Sequence, residues 1–262
     1  EKNKMVEVDA ITDPSLVTSV ASTGNYTYAN EYEKEILTRD SAHPDYKIIN
    51  IEGKGYTGYL AAVYDASKLH TMVTSNLNRS GGTPLGITIS NGKTITNKAY
   101  NDEGGLIGFN TDNKLIIGKV TPDQAKQLNI RDAVTSGPFL IVNGQSSRVI
   151  GNGGLGTAQR KDGVVLLLVI DGRKVGRAGA QMNDLIEIME RYGAYNAAAL
   201  DGGTSSVMVE NYKIINDPIN SDGVHKTRPV ATAWGLILDD SSLSTSNSQT
   251  KAKNNTTNGG RK

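Results

Sequence analysis

The 262 residues carry 37% apolar and 21% charged side chains, a composition that folds unaided and buries a core in one domain or in one domain with appendages. The 28 basic and 27 acidic residues leave a formal net charge of +1, so there is no global field for nucleic acid or acidic membranes, and no apolar run reaches the ~18 residues of a membrane span. Cysteine is absent, which excludes disulfides, thiolate metal sites and a cysteine nucleophile, and His43, His70 and His225 lie too far apart in sequence for a local metal motif.

Residues 1–45 are polar and weakly periodic, with "ANEYEKEIL" as a helical turn or two, and read as an N-terminal arm. The opening "EKNKMVEVDA" lacks the apolar core of a signal peptide, which leaves a mature secreted form open. From residue 46 onward short β-rich runs alternate with glycine turns. Asn91-Gly92 and Asn143-Gly144 each stand between strand-like runs, and Asn-Gly suits the two-residue hairpin turn that needs positive φ at both positions. "TPDQAKQLN" predicts a short helix with Thr121 as N-cap, Pro122 at the first helical position and Gln124 completing a capping box. A second helix is predicted over 183–192, with Asn183 as cap, Gly193 as terminator, and Met182, Leu185, Ile186 and Met189 on one apolar face. Residues 241–262 have almost no large apolar side chains and read as a disordered tail or linker, leaving 46–240 as the domain.

The second helix lies between two buried runs, "GVVLLLVI" and "YNAAAL", so the order is strand, helix, strand. A crossover of that kind makes the strands parallel and brings their carboxyl ends to one edge, where ligands bind in such units. The fold class expected is α+β, a mixed twisted sheet with a β-α-β unit and few helices. Each strand ends in Asp-Gly, at Asp171-Gly172 and Asp201-Gly202. Two readings stand side by side: a paired-carboxylate edge, or two tight turns. "GNGGLG" at 151–156 has dinucleotide-fingerprint spacing, yet it leads into a strand and not a helix, so it is read as a flexible loop.

The motifs "GGTPLGITISNGK", "TSGPFLIVNG", "VVLLLVIDGR", "LDGGTSSVMV" and "RPVATAWGLIL", in that order across about residues 50–238, resemble the phosphodiester glycosidase family. The resemblance implies hydrolysis of a sugar-1-phosphate diester by an α+β domain. In bacteria the implied substrate is an envelope polymer or exopolysaccharide, and the implied location is extracytoplasmic or secreted. The implied partner is a phosphorylated glycan or sugar phosphate; no cofactor is called for, and a divalent cation is left open. The same resemblance puts Ser136 and Gly137, ahead of "FLIV", at the site, together with Thr83 of the Gly-Gly-Thr-Pro segment.

That chemistry suits the residues. An anionic diester wants backbone amides, hydroxyls and a cation. Gly202 and Gly203 allow close approach of the backbone, while Thr204, Ser205 and Ser206 supply hydroxyls. Asp201, with Asp171, is the catalytic candidate, as acid or base or as the holder of a sugar hydroxyl. Arg228 and Arg173 are the cations for the phosphate, each with a plain surface charge as its alternative. No serine–histidine pairing in space can be read from the sequence, which leaves a serine nucleophile the weaker idea. Two departures from the family pattern stand out. "RSGGTPLG" follows "HTMVTSNLN" with no intervening asparagine-glycine-aromatic segment, and in "GLGTAQRKDG" Gln159 follows Ala158 where an Arg-Thr-Ala segment is normal. A catalytically impaired glycan-phosphate-binding domain is therefore the second reading.

Overall fold

The computed structural model describes residues 11–18, 24, 26–74, 82–98, 104–219 and 222–238. In chain order the strands begin with β1 (Tyr46–Gly53), β2 (Tyr56–Val63), β3 (Leu69–Val73), β4 (Ile87–Ser90), β5 (Lys93–Asn97) and β6 (Gly105–Asn110). Next come β7 (Leu115–Gly118), β8 (Ile130–Ser136), β9 (Phe139–Val142), β10 (Gln145–Ser146), β11 (Asn152–Gly153) and β12 (Leu155–Arg160). The last six are β13 (Val165–Ile170), β14 (Ala180–Gln181), β15 (Ala194–Leu200), β16 (Val209–Glu210), β17 (Lys213–Ile214) and β18 (Thr232–Leu236). Among the described residues three α-helices join them: α1 (Glu31–Leu37), α2 (Pro122–Gln127) and α3 (Met182–Arg191). This is the α+β class, strand-rich with few helices. Among the described residues no helix is long and apolar enough to cross a membrane.

A seven-stranded sheet runs β1-β2-β13-β12-β15-β9-β10, and a five-stranded sheet runs β5-β4-β8-β6-β7. The strand-helix-strand unit is present but split. Both β13 and β15 pair antiparallel with β12, which sits between them, so they run the same way without touching. The sheet is therefore not mixed as expected, because β12 inserts between the two like-directed strands and the ladders among the described residues are all antiparallel. Leu155 stands opposite Val169 on one side and Leu200 on the other. The carboxyl ends of β13 and β15 are therefore level, about 10 Å apart at two strand spacings, with the start of β12 in the gap.

Burial follows the two-residue period of β13. Leu166, Leu168 and Ile170 pack with Leu185, Ile186, Ile188 and Met189 of α3. On the opposite face Val63, Val165 and Ala198 pack with Ile107, Phe109, Leu115 and Ile117 of the five-stranded sheet. The layers are helix, sheet, sheet, and the run "VVLLLVI" is apolar throughout because both of its faces are covered. Leu185 is fully buried, so Leu185→Ala should lower the free energy of unfolding by about 2–5 kcal/mol in a denaturant titration.

Local signals resolve as follows. Both Asn-Gly turns have positive φ at each position, 47° and 76° at Asn91-Gly92 and 51° and 76° at Asn143-Gly144. Thr121 and Gln124 form the reciprocal capping box, with Pro122 opening α2. For α3 the cap differs from expectation: the helix begins at Met182 with Gln181 as N-cap, and the Asp184 carboxylate accepts from the Gln181 N–H at 2.6 Å. Asn183 lies inside the first turn, because Asp184 sits at the position that can reach back to Gln181. Gly193 ends the helix at φ 80°.

The polar N-terminal segment docks on the body. Thr12 exchanges hydrogen bonds with Leu115 and Ile117 of β7, and α1 buries Ile36 and Leu37 against the α3 side of the sheet. Ala158 and Gln159 are consecutive paired residues within β12, opposite Leu166 and Val165. The Gln159 amide is buried, accepting from Leu115 N–H and donating to the carbonyls of Asn113 and Gly163. This departure from the family pattern is continuous, packed strand. The other departure, at 78–79, and the tail 241–262 lie outside the described residues.

Candidate functional site

Where β13 and β15 end, three glycine-bearing segments meet. Gly154 enters β12 in the gap between the two strand ends, and a Cβ there would stand 2.6 Å from Ser206 Oγ and 2.9 Å from Gly202 Cα. Gly203 takes φ +62°, a left-handed conformation that glycine adopts without steric cost. The result is a cleft of about 270 Å³ walled by Asn152, Gly153 and Gly154, by Asp171, Gly172 and Arg173, and by Gly202 and Gly203, with Gly179, Ala180, Ile170 and Ile219 completing it.

Asp171 is the carboxylate in that wall. Its Oδ1 accepts from the Asp217 N–H at 2.8 Å and from Asn216 Nδ2 at 3.2 Å, and its Oδ2 accepts from Thr57 Oγ1 at 3.3 Å. A carboxylate has about four acceptor positions, so three donors leave one, on Oδ2. Arg173, two residues on, makes no hydrogen bond or ion pair with any described residue. Behind this wall Asp217 takes an ion pair from Lys174 at 3.2 Å and a hydrogen bond from His225. Burial would raise the Asp217 carboxyl, but the hydrogen bonds from His225 and Lys174 outweigh it and hold the group below the usual carboxylate range.

The Asp201 loop forms a second cluster beside the cleft. Asp201 does not face the cleft as its position after a buried strand predicts; its side chain is 68% exposed and pairs with the Arg228 guanidinium. Ser205 Oγ links the two, donating to Asp201 Oδ2 at 3.0 Å and accepting from Arg228 Nε at 2.6 Å. The Arg228 N–H also donates to the Thr204 carbonyl at 3.3 Å. Ser206 is fully buried, and its Oγ has no partner among the described residues.

Of the residues singled out in the sequence, Asp171, Arg173, Gly202 and Gly203 line the cleft. Asp201, Thr204, Ser205 and Arg228 adjoin it, and Ser206 lies against its glycine wall. Ser136 ends β8 and Gly137 follows it, close to the end of β15 through the Ala199–Pro138 hydrogen bond, but neither lines the cleft. Thr83 is exposed on a bend before β4 and does not line it either. Asn152, Gly153 and Gly154 do, although the glycine run reads in sequence as a mere loop; the signal was a glycine cluster opening a buried strand. Asn216 and Asp217 had only an Asn-Asp-Pro punctuation to mark them.

A model of the phosphodiester glycosidase family matches residues 65–237. The chain belongs to this family. Its fold is shared with the zebrafish N-acetylglucosamine-1-phosphodiester α-N-acetylglucosaminidase catalytic domain, solved auto-inhibited by its pro-peptide, at TM-score 0.63 and 15% identity over 76% of this chain and 86% of that one. A hypothetical protein from Synechocystis is similar at TM-score 0.52 and 14% identity, over 72% and 61% of the respective chains. No curated protein matches the chain. For a phosphodiester glycosidase, a cleft holding a carboxylate, a guanidinium unengaged among the described residues and glycine backbone suits an anionic sugar ester.

Proposed function

We propose that this phosphodiester glycosidase cleaves the bond between the anomeric carbon and the ester oxygen of a sugar-1-phosphate diester. The observation that carries the reading is the placement of Asp171 and Arg173, the latter unengaged among the described residues, either side of Gly172 in one cleft wall. The leaving group is a phosphate monoester, a weak base that calls for neutralisation more than for a proton. Arg173 supplies that, with two oxygens bound by one planar guanidinium. Gly202 and Gly203 let backbone amides approach the same oxygens. Water, the incoming nucleophile, does need a base, and the open acceptor position of Asp171 serves it. The hydroxyl of water joins the anomeric carbon, the carbon–oxygen bond breaks toward the phosphate, and the proton passes to Asp171. Substrate chemistry of this kind occurs in envelope polymers and exopolysaccharides, and a chain without cysteine loses nothing in an oxidising compartment.

The test is hydrolysis of methyl glycosyl-1-phosphate diesters in ¹⁸O-water. The label is expected on the released sugar, with methyl phosphate as co-product. Label in methyl phosphate or in a sugar phosphate would mean phosphorus–oxygen cleavage and would overturn the assignment. Tight binding of every diester without turnover would favour the glycan-phosphate-binding reading.

A further inference from the structure

We infer that Asn216 is a positioning residue that locks the Gly202–Gly203 loop to Asp171, an inference that rests on the reading of the cleft as the sugar-phosphodiester site. Its amide makes three bonds at once. Oδ1 accepts from the Met208 N–H at 2.8 Å, while Nδ2 donates to the Ser206 carbonyl at 2.7 Å and to Asp171 Oδ1 at 3.2 Å. A backbone N–H only donates and a carbonyl only accepts, so the amide cannot be flipped. Both Nδ2 protons are thereby committed, one to each wall of the cleft.

Strand β12 lies between the two walls, and Asn216 bridges them with a single side chain. Asp171 follows β13 and Ser206 follows β15, two strand spacings away with β12 between. Asn216 comes from neither strand. It follows the β16–β17 hairpin, whose base is fixed by Met208 and Ile215 packing on Ala61, Val169 and Leu167 of the large sheet. The Asp217 N–H adds a second bond to the same Asp171 oxygen, so one dipeptide sets both the depth and the rotation of the carboxylate. Among the described residues Thr57 alone then holds Oδ2, the oxygen with an acceptor position to spare. Displacing Asn216 would leave Asp171 able to turn its free position away from the substrate, with the phosphate-facing glycines drifting independently.

Asn216→Asp tests this with no change of shape. It keeps the acceptor for Met208 and turns the donor into an acceptor facing the Ser206 carbonyl and the Asp171 carboxylate. On a methyl glycosyl-1-phosphate diester, kcat is expected to fall about 10- to 100-fold with KM changed less than about threefold, the signature of a misplaced reacting group. The double variant Asp171→Asn/Asn216→Asp should be no slower than Asp171→Asn alone. Wild-type kcat in Asn216→Asp, or fully additive losses in the double variant, would overturn the inference. Asn216→Ala is the second variant, and failure of both to fold would assign Asn216 a purely structural role. Wild-type inactivity on the diester would sink the proposed function by itself. The crystal structure of Asn216→Asp then decides the inference. A turned Asp171 carboxylate with a shifted Gly202–Gly203 loop supports it; both unmoved from their wild-type places overturns it.

Discussion

Asp171→Asn is expected to lower turnover of a sugar-1-phosphate diester by about 10²–10⁴-fold, the range for a lost general base, while melting temperature moves by no more than a few degrees. The substitution separates chemistry from folding because the local hydrogen bonds can survive it. The asparagine carbonyl can take the Oδ1 place and go on accepting from Asn216 Nδ2 and the Asp217 N–H. Its NH₂ group then faces Thr57 Oγ1, a hydroxyl that can turn from donor to acceptor. Only charge and basicity disappear. Arg173→Ala should instead raise KM foremost, since a cation that neutralises the phosphate already acts in the bound ground state. Asp201→Asn provides the contrast, for Asp201 is two-thirds exposed and engaged by Ser205 and Arg228. Kinetics and thermal unfolding of the three variants check the assignment. Unimpaired turnover in Asp171→Asn, with a collapse in Asp201→Asn, would move the base to the exposed loop.

The sequence was most readable where one short segment decides its own geometry. Asn91-Gly92 and Asn143-Gly144 announce hairpins because both residues tolerate positive φ, and Thr121, Pro122 and Gln124 announce a helix start because their side chains satisfy its free N–H groups. A third turn of the same kind, Asn211-Tyr212 with φ 49° and 63°, carries tyrosine in the glycine place and gave no such signal. The strand-helix-strand unit and the shared edge for Asp171 and Asp201 also followed from pattern, since β13 is apolar throughout and α3 has one apolar face. The strand between them did not, because β12 reaches that place through contacts with β2-side and β15-side neighbours that no local window contains. For the same reason the site was only half legible. Asp171 and Arg173 sit on the readable strand end, but the groups that orient Asp171 are Asn216 and Asp217, 45 and 46 positions away in sequence, and Thr57, 114 away. Asp201 stands at the edge as expected, yet the guanidinium of Arg228 draws its side chain outward, a pairing between residues far apart in the chain.

Gly154→Ala should cost about 10²-fold in turnover and about 1–3 kcal/mol in stability, although it adds a single methyl group. The backbone at Gly154 is not in the left-handed region, so alanine is free of conformational strain and the whole effect comes from contact. The added Cβ would stand 2.6 Å from Ser206 Oγ, 2.9 Å from Gly202 Cα and 3.3 Å from Gly203 N. A flexible side-chain end could move aside, but two of these three neighbours are backbone. Strand β12 cannot retreat, because Leu155 is paired on both sides, with Val169 and with Leu200. The Gly202–Gly203 loop must therefore shift, and with it the backbone that approaches the phosphate in the proposed reaction. Ser206→Ala in the same chain removes the nearest clash while leaving the Gly202 contact, so it should restore part of the stability and less of the activity. Thermal unfolding and steady-state kinetics on the single and double variants separate the two effects. Full turnover in Gly154→Ala would show that substrate does not depend on the spacing of these walls, and the cleft between β13 and β15 would lose its claim to the chemistry.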